Sequence, residues 1–147
     1  MSFKINVPKT MLKYTYQDRI SGEEKAFLKI QYNGYCQICG TTILKYDGEH
    51  HFQAINVMKT SNLAEPYKGA LETGWNSLCL CPNCAAKYQY GVKDISDFYE
   101  QVQEKDVEAG SDETIDISLS LQDKQEEIHY TPKHFLALKT AMEVYSK

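Results

Sequence analysis

Cys36-Gln37-Ile38-Cys39 and Cys81-Pro82-Asn83-Cys84 are two C-x₂-C pairs, separated by residues 40–80. This spacing places two thiolates on one tight turn, where both can reach a single metal ion. Two such knuckles complete a tetrahedral Cys₄ set, the arrangement that structural zinc prefers. Gly40 follows the first pair and Pro82-Asn83 lie inside the second; these turn formers leave backbone N–H groups free to point at sulfur. The alternatives are four buried free thiols or two disulfides. The fifth cysteine, Cys79, stands two residues before Cys81 and reads as a small buried hydrophobe rather than a fifth ligand.

Upstream of the first knuckle, Ser21-Gly22-Glu23-Glu24 matches a capping box, with Ser21 as N-cap and Glu24 at N3. Ala26, Phe27 and Ile30 follow at helical spacing. A helix is predicted over 22–32, ended by Asn33-Gly34. Between the knuckles, Asp47-Gly48 separates two apolar runs and predicts a hairpin with strands near 41–46 and 49–57. Glu49, His50 and His51 open the second strand. Residues 60–74 read as a loop with one turn of helix, and Trp75 to Leu80 lead into the second knuckle. Beyond it, a short helix is predicted from Ala85 to Tyr90, stopped by Gly91, then an amphipathic helix over 93–105 carrying Ile95, Phe98, Tyr99 and Val102.

Glu104 to Glu113 form a solvated acidic connector. Ile115, Ile117, Leu119 and Leu121 then alternate with Asp116, Ser118 and Ser120, the pattern of a half-buried strand. A turn at Gln122-Asp123-Lys124-Gln125 leads to a partner strand ending at Tyr130. Thr131 caps a closing helix with Pro132 at its first position, and Phe135, Leu138, Met142 and Tyr145 form its apolar stripe. His129 and His134 flank this turn and read as partly solvated.

At 147 residues, 42% hydrophobic and 12% aromatic, the chain suits one domain with a real core. The expected organisation is an N-terminal arm over 1–20, a helix plus Cys₄ centre over 21–92, and residues 93–147 packed on the same domain. No apolar run reaches the roughly 18–20 residues that cross a bilayer, so no membrane association is expected. The first residues lack the apolar stretch of a signal peptide, which predicts a cytoplasmic location with reduced thiols and favours metal over disulfide. Of the 16 basic and 20 acidic side chains, residues 1–90 hold 10 and 7, and residues 91–147 hold 6 and 13. Contact with nucleic acid must then be local, on the face that carries the knuckles.

Tyr35-Cys36-Gln37-Ile38-Cys39-Gly40, then Glu49-His50-His51, then Trp75 through Cys84 resemble the zinc-knuckle branch of the HNH (ββα-metal) endonucleases, over roughly residues 25–90. The elements read above give an α+β fold, a small zinc-stabilised domain with flanking helices and a C-terminal β-hairpin plus helix, and the resemblance implies that its centre is ββα-metal-like. It also implies His51 as general base on water, Asn76 as its orienting residue and His50 as a ligand of a catalytic cation, Mg²⁺ or another divalent ion. One element departs from the pattern. Family members usually carry a histidine directly after the second knuckle, whereas this chain reads Ala85-Ala86-Lys87. A second similarity joins Leu80 through Gly91 to Tyr130-Thr131-Pro132-Lys133-His134. These stretches look like the C-terminal module of large bacterial proteins with sacsin-like or GHKL-type ATPase regions, some of which act in defence against foreign DNA. It implies a partner chain or assembly containing an ATPase.

Three functions are consistent with these residues. One is a non-catalytic zinc module that recognises DNA or a protein, with Lys45 and Lys87 on phosphate. Another is a metal-dependent endonuclease using His51, its cation held by His50 or Glu49. The last is a purely structural interaction domain. Tyr32, Tyr35, Tyr46, Trp75, Tyr88 and Tyr90 lie near the knuckles in sequence and serve either as stacking platforms or as core.

Overall fold

A capping box starts the first helix and also anchors it. In the computed structural model, which describes residues 20–58, 73–108 and 110–145, helix α1 spans Gly22–Tyr32. The amide of Glu24 donates to Ser21 Oγ at 3.2 Å, and Glu24 Oε1 accepts from the Ser21 amide at 3.2 Å. Glu24 is itself buried, and its other carboxylate oxygen accepts from the Ser77 hydroxyl. A terminal capping residue therefore pins the helix onto a neighbouring strand. Leu28 shares this buried face, while Ile30, expected on the apolar stripe, is 79% exposed. Helical spacing alone does not say which stripe meets the core.

Asn33 ends α1 in the left-handed region at φ 52°, its amide donating to Lys29 O at 2.8 Å. Gly34 follows at φ 83°, and a Cβ there would sit 2.6 Å from that of His50. Glycine lets the chain turn left-handed and lets the next hairpin approach α1 closely.

That hairpin pairs β1 (Ile43–Leu44) with β2 (His50–His51), Ile43 opposite His51 and Leu44 opposite His50. The expected second strand is interrupted at Phe52. Its remainder, β3 (Gln53–Asn56), pairs antiparallel with β4 (Ser77–Leu80), which is buried throughout. One run thus serves two sheets. Helix α2 (Pro82–Tyr90) begins three residues earlier than expected, because Cys81 occupies the N-cap and Pro82 fits the first turn.

Residues 93–105 do not form a continuous helix. β5 (Lys93–Asp94) pairs with Leu121 and Ser120 of β6 (Ile115–Leu121), and only Phe98–Glu104 is helical, as α3. Asp94 Oδ1 accepts the amide of Ser96 at 2.9 Å and turns the chain between them. Phe98 and Val102 are buried, whereas Tyr99 is 44% exposed.

β6 pairs along its full length with β7 (Lys124–Tyr130). The connecting pair Gln122-Asp123 has φ 53° and 63°, the left-handed geometry of a tight two-residue hairpin turn. Helix α4 (Pro132–Tyr145) follows, its start capped by Thr131 Oγ1, which accepts from the His134 amide at 3.3 Å. Ile117, Leu119 and Leu121 join Phe135, Leu138 and Met142 in the same buried cluster as Ile55, Leu78, Leu80 and Tyr88. The burial of Tyr145, the arm over 1–20 (apart from Ile20) and most of the loop over 60–74 lie outside the described residues.

His134 is fully buried, contrary to its expected solvation. Its Nε2 lies 2.9 Å from Gly74 O and its Nδ1 2.5 Å from the Tyr32 hydroxyl, which also accepts from the Thr131 amide at 3.1 Å. A ring protonated on Nε2 that accepts the Tyr32 hydroxyl proton at Nδ1 satisfies all three bonds, and burial disfavours the charged alternative. Burial draws its pKa down from 6.5 to about 4. Since the folded value lies below the unfolded one, protons favour the unfolded chain, and stability falls as pH drops from about 6.5 to about 4. The loss levels off near roughly 3 kcal/mol. Imidazole ¹⁵N shifts should report the neutral Nε2–H tautomer down to about pH 5, with protonation only below it; a charged ring near neutral pH would contradict this assignment.

Candidate metal centre and the adjoining cleft

The four sulfurs of Cys36, Cys39, Cys81 and Cys84 lie within 4.8 Å of one another, with Cys39 and Cys81 3.6 Å apart. Zinc–sulfur bonds of about 2.3 Å in a tetrahedron separate sulfurs by about 3.8 Å. The four cysteines are therefore positioned to bind one metal ion, as structural Zn²⁺ requires. Neither disulfide nor dispersed thiols describe this arrangement: all five cysteines are free, and four converge.

Each knuckle turns its amides toward sulfur. Cys36 Sγ accepts from the amides of Ile38 at 3.4 Å and Cys39 at 3.5 Å, and Cys81 Sγ from that of Cys84 at 3.4 Å. The second knuckle is also the N-terminus of α2, whose dipole favours negative charge. Hydrogen bonding from the Cys84 thiol holds Cys36 well below the usual thiol range, and the same bond pushes Cys84 up. A dication supplies what the remaining thiols need to ionise. Cys39 is the exposed ligand, and the Thr41 hydroxyl lies 2.9 Å from its sulfur. Cys79 is buried outside the set, its thiol donating to Tyr35 O at 3.4 Å.

Gln37, inside the first knuckle, is the joint of the molecule. Its amide donates to Cys79 O at 2.8 Å, and its carbonyl accepts from the His129 amide at 2.8 Å. Its side-chain Oε1 accepts from the Cys79 amide at 2.8 Å, and Nε2 donates to His129 O at 3.1 Å. One residue thus bonds β4 on one side and β7 on the other, while its flanking cysteines hold the metal. No sequence signal marks it, since its partners lie far along the chain.

The candidate residues divide. His50, His51 and Lys45 meet in a cleft of about 310 Å³ between α1 and the hairpin, lined also by Lys25, Ala26, Lys29, Glu49, Phe52 and Ala54. His50 packs its ring against Tyr35, centroids 5.4 Å apart, with Nδ1 3.2 Å from the Thr42 hydroxyl. Asn76 is fully buried and spends its carboxamide on Met58: Oδ1 accepts the amide at 2.9 Å and Nδ2 donates to the carbonyl at 2.8 Å. Lys87 lies on α2 outside the cleft lining. Of the aromatics, Trp75 and Tyr88 are core, whereas Tyr46 and Tyr90 are exposed. Lys25 and Lys29 escaped the sequence reading, though their i, i+4 spacing on a predicted helix places both on one face. His129 is half-exposed on its strand and pairs with Asp116 at 2.6 Å. Among the described residues, no helix is long and apolar enough to cross a membrane.

No protein-family profile, no curated protein and no solved structure matches this chain.

Two outcomes follow from the joint. Purified protein should carry one zinc per chain, and chelation should unfold it, since structural zinc supplies on the order of 10 kcal/mol; calorimetry with and without chelator measures this. Gln37→Met keeps the volume but leaves the Cys79 amide and the His129 carbonyl without their side-chain partner. It should lower stability by about 2–4 kcal/mol with zinc content unchanged.

Proposed function

We propose that the chain is a zinc-stabilised, non-catalytic module that recognises DNA. The observation carrying this reading is the cleft beside the first knuckle, where Lys25, Lys29 and Lys45 from two elements converge with His50 and His51. In a chain of net charge −4, such a local concentration of ammonium groups suits the phosphate backbone. The Cys₄ centre keeps the hairpin, and with it Lys45 and the histidines, in fixed register against α1.

The resemblance to HNH endonucleases supports the same surface but not their chemistry. A cleaving enzyme needs a cation seat and an oriented base. Asn76, the orienting residue that the resemblance implies, is engaged with Met58, and alanines stand where a further ligand is usual. Among the described residues the four cysteines form the grouping suited to a metal ion, and neither histidine belongs to it. His51, on the lining of the cleft, is left as a ring N–H donor to a phosphate oxygen.

A short labelled duplex should bind with an affinity that falls steeply as salt rises. Lys45→Ala should weaken binding several-fold and reduce the slope of log K against log salt by about 1. Plasmid incubated with Mg²⁺, Mn²⁺ or Ni²⁺ should stay intact. Cleavage that disappears in His51→Ala would replace this reading with a metal-dependent nuclease. No shift at low salt would point instead to a protein partner, a larger ATPase-containing chain among them.

A further inference from the structure

We infer that the Glu49 carboxylate is a built-in stand-in for phosphate: it occupies on Lys29 the seat that a DNA backbone phosphate takes, so the cleft is self-screened until nucleic acid displaces it. This rests on the DNA-recognition reading and adds Glu49, through its pairing with Lys29, as a residue that sets affinity.

Lys29 and Glu49 form an ion pair across the cleft, from α1 to the residue just before β2. Their side chains are 53% and 51% exposed, so the pair stands at the mouth and is open to exchange. The same ammonium hydrogen bond draws the Glu49 carboxyl below its ordinary range, which keeps it charged. Lys45 has a looser partner, Asp47, at 3.8 Å. Lys25, one turn before Lys29, lines the same space.

The geometry favours displacement over rivals. A carboxylate and a phosphate oxygen offer an ammonium the same charge-assisted acceptor. Exposed ion pairs contribute little net stability, so breaking this one is cheap. A phosphodiester reaching the cleft can meet Lys25 and Lys45 as well, contacts that Glu49 alone does not satisfy. Glu49 as ligand of a catalytic cation is the competing assignment. It is disfavoured here because its carboxylate faces an ammonium group and joins no other metal-binding side chains.

Fluorescence anisotropy of a labelled duplex against the zinc-loaded full chain tests the proposal. Glu49→Gln should tighten binding about three- to tenfold and change the salt slope little, since the number of phosphate contacts is unchanged. Lys29→Ala should weaken binding and lower the slope by about 1. In the double variant the gain from Glu49→Gln should vanish, because the seat it frees no longer exists. Circular dichroism and zinc content should match the parent in all three. If the parent binds DNA and Glu49→Gln binds equally or more weakly, the stand-in role is wrong while DNA recognition stands. If Mg²⁺ strengthens parent binding and Glu49→Gln abolishes that gain, Glu49 is a cation ligand and the proposal falls. If neither parent nor Glu49→Gln binds at low salt, the DNA reading itself fails.

Discussion

Four thiolates drawn to one ion are the constraint on which the rest of this structure depends. Each knuckle is only a tight turn, and a turn by itself has no core to hold it. Metal coordination joins two turns distant in the chain and converts that closure into folding free energy. The residues between the ligands then acquire fixed directions. Gln37 is the clearest case: with Cys36 and Cys39 committed to the metal, its backbone and carboxamide line up with Cys79 on β4 and His129 on β7. The chain from residue 85 to His129 on β7 is thereby tied to the first knuckle. Buried apolar side chains from both parts complete the same core.

The cleft owes its character to a second closure, smaller and made without metal. Gly34 permits α1 to stop abruptly and the hairpin to fold back with His50 almost touching the backbone. Lysines that face solvent on an isolated helix thus come to face the histidines and Glu49. Positive charge accumulates there while the acidic excess lies in the C-terminal half of the chain. Screening confines surface charge effects to about 8–10 Å at physiological salt, so a net acidic protein can still present a local anion seat.

Features governed by near neighbours were readable in advance. The capping box at Ser21, the Asp47-Gly48 turn, the alternation over Ile115–Leu121 and the Thr131-Pro132 helix start all appear where local chemistry places them. The failures share a cause. Residues 93–105 look helical by periodicity, yet Lys93 and Asp94 gain strand partners from β6 that no local pattern displays. His134 looks solvated beside a helix start, yet Tyr32 and Gly74 arrive from distant segments to enclose it.

The sequence by itself determined the metal ligands, the mixed α and β class and most of the turns, because each depends on residue types at short, fixed spacing. Tertiary structure alone decided that Gln37 is a joint, that Asn76 serves Met58, and that Lys25, Lys29 and Glu49 share a cleft with His51. Those outcomes rest on which distant surfaces meet, and that is settled by closing loops and excluding water from one shared core rather than by any local preference of the chain.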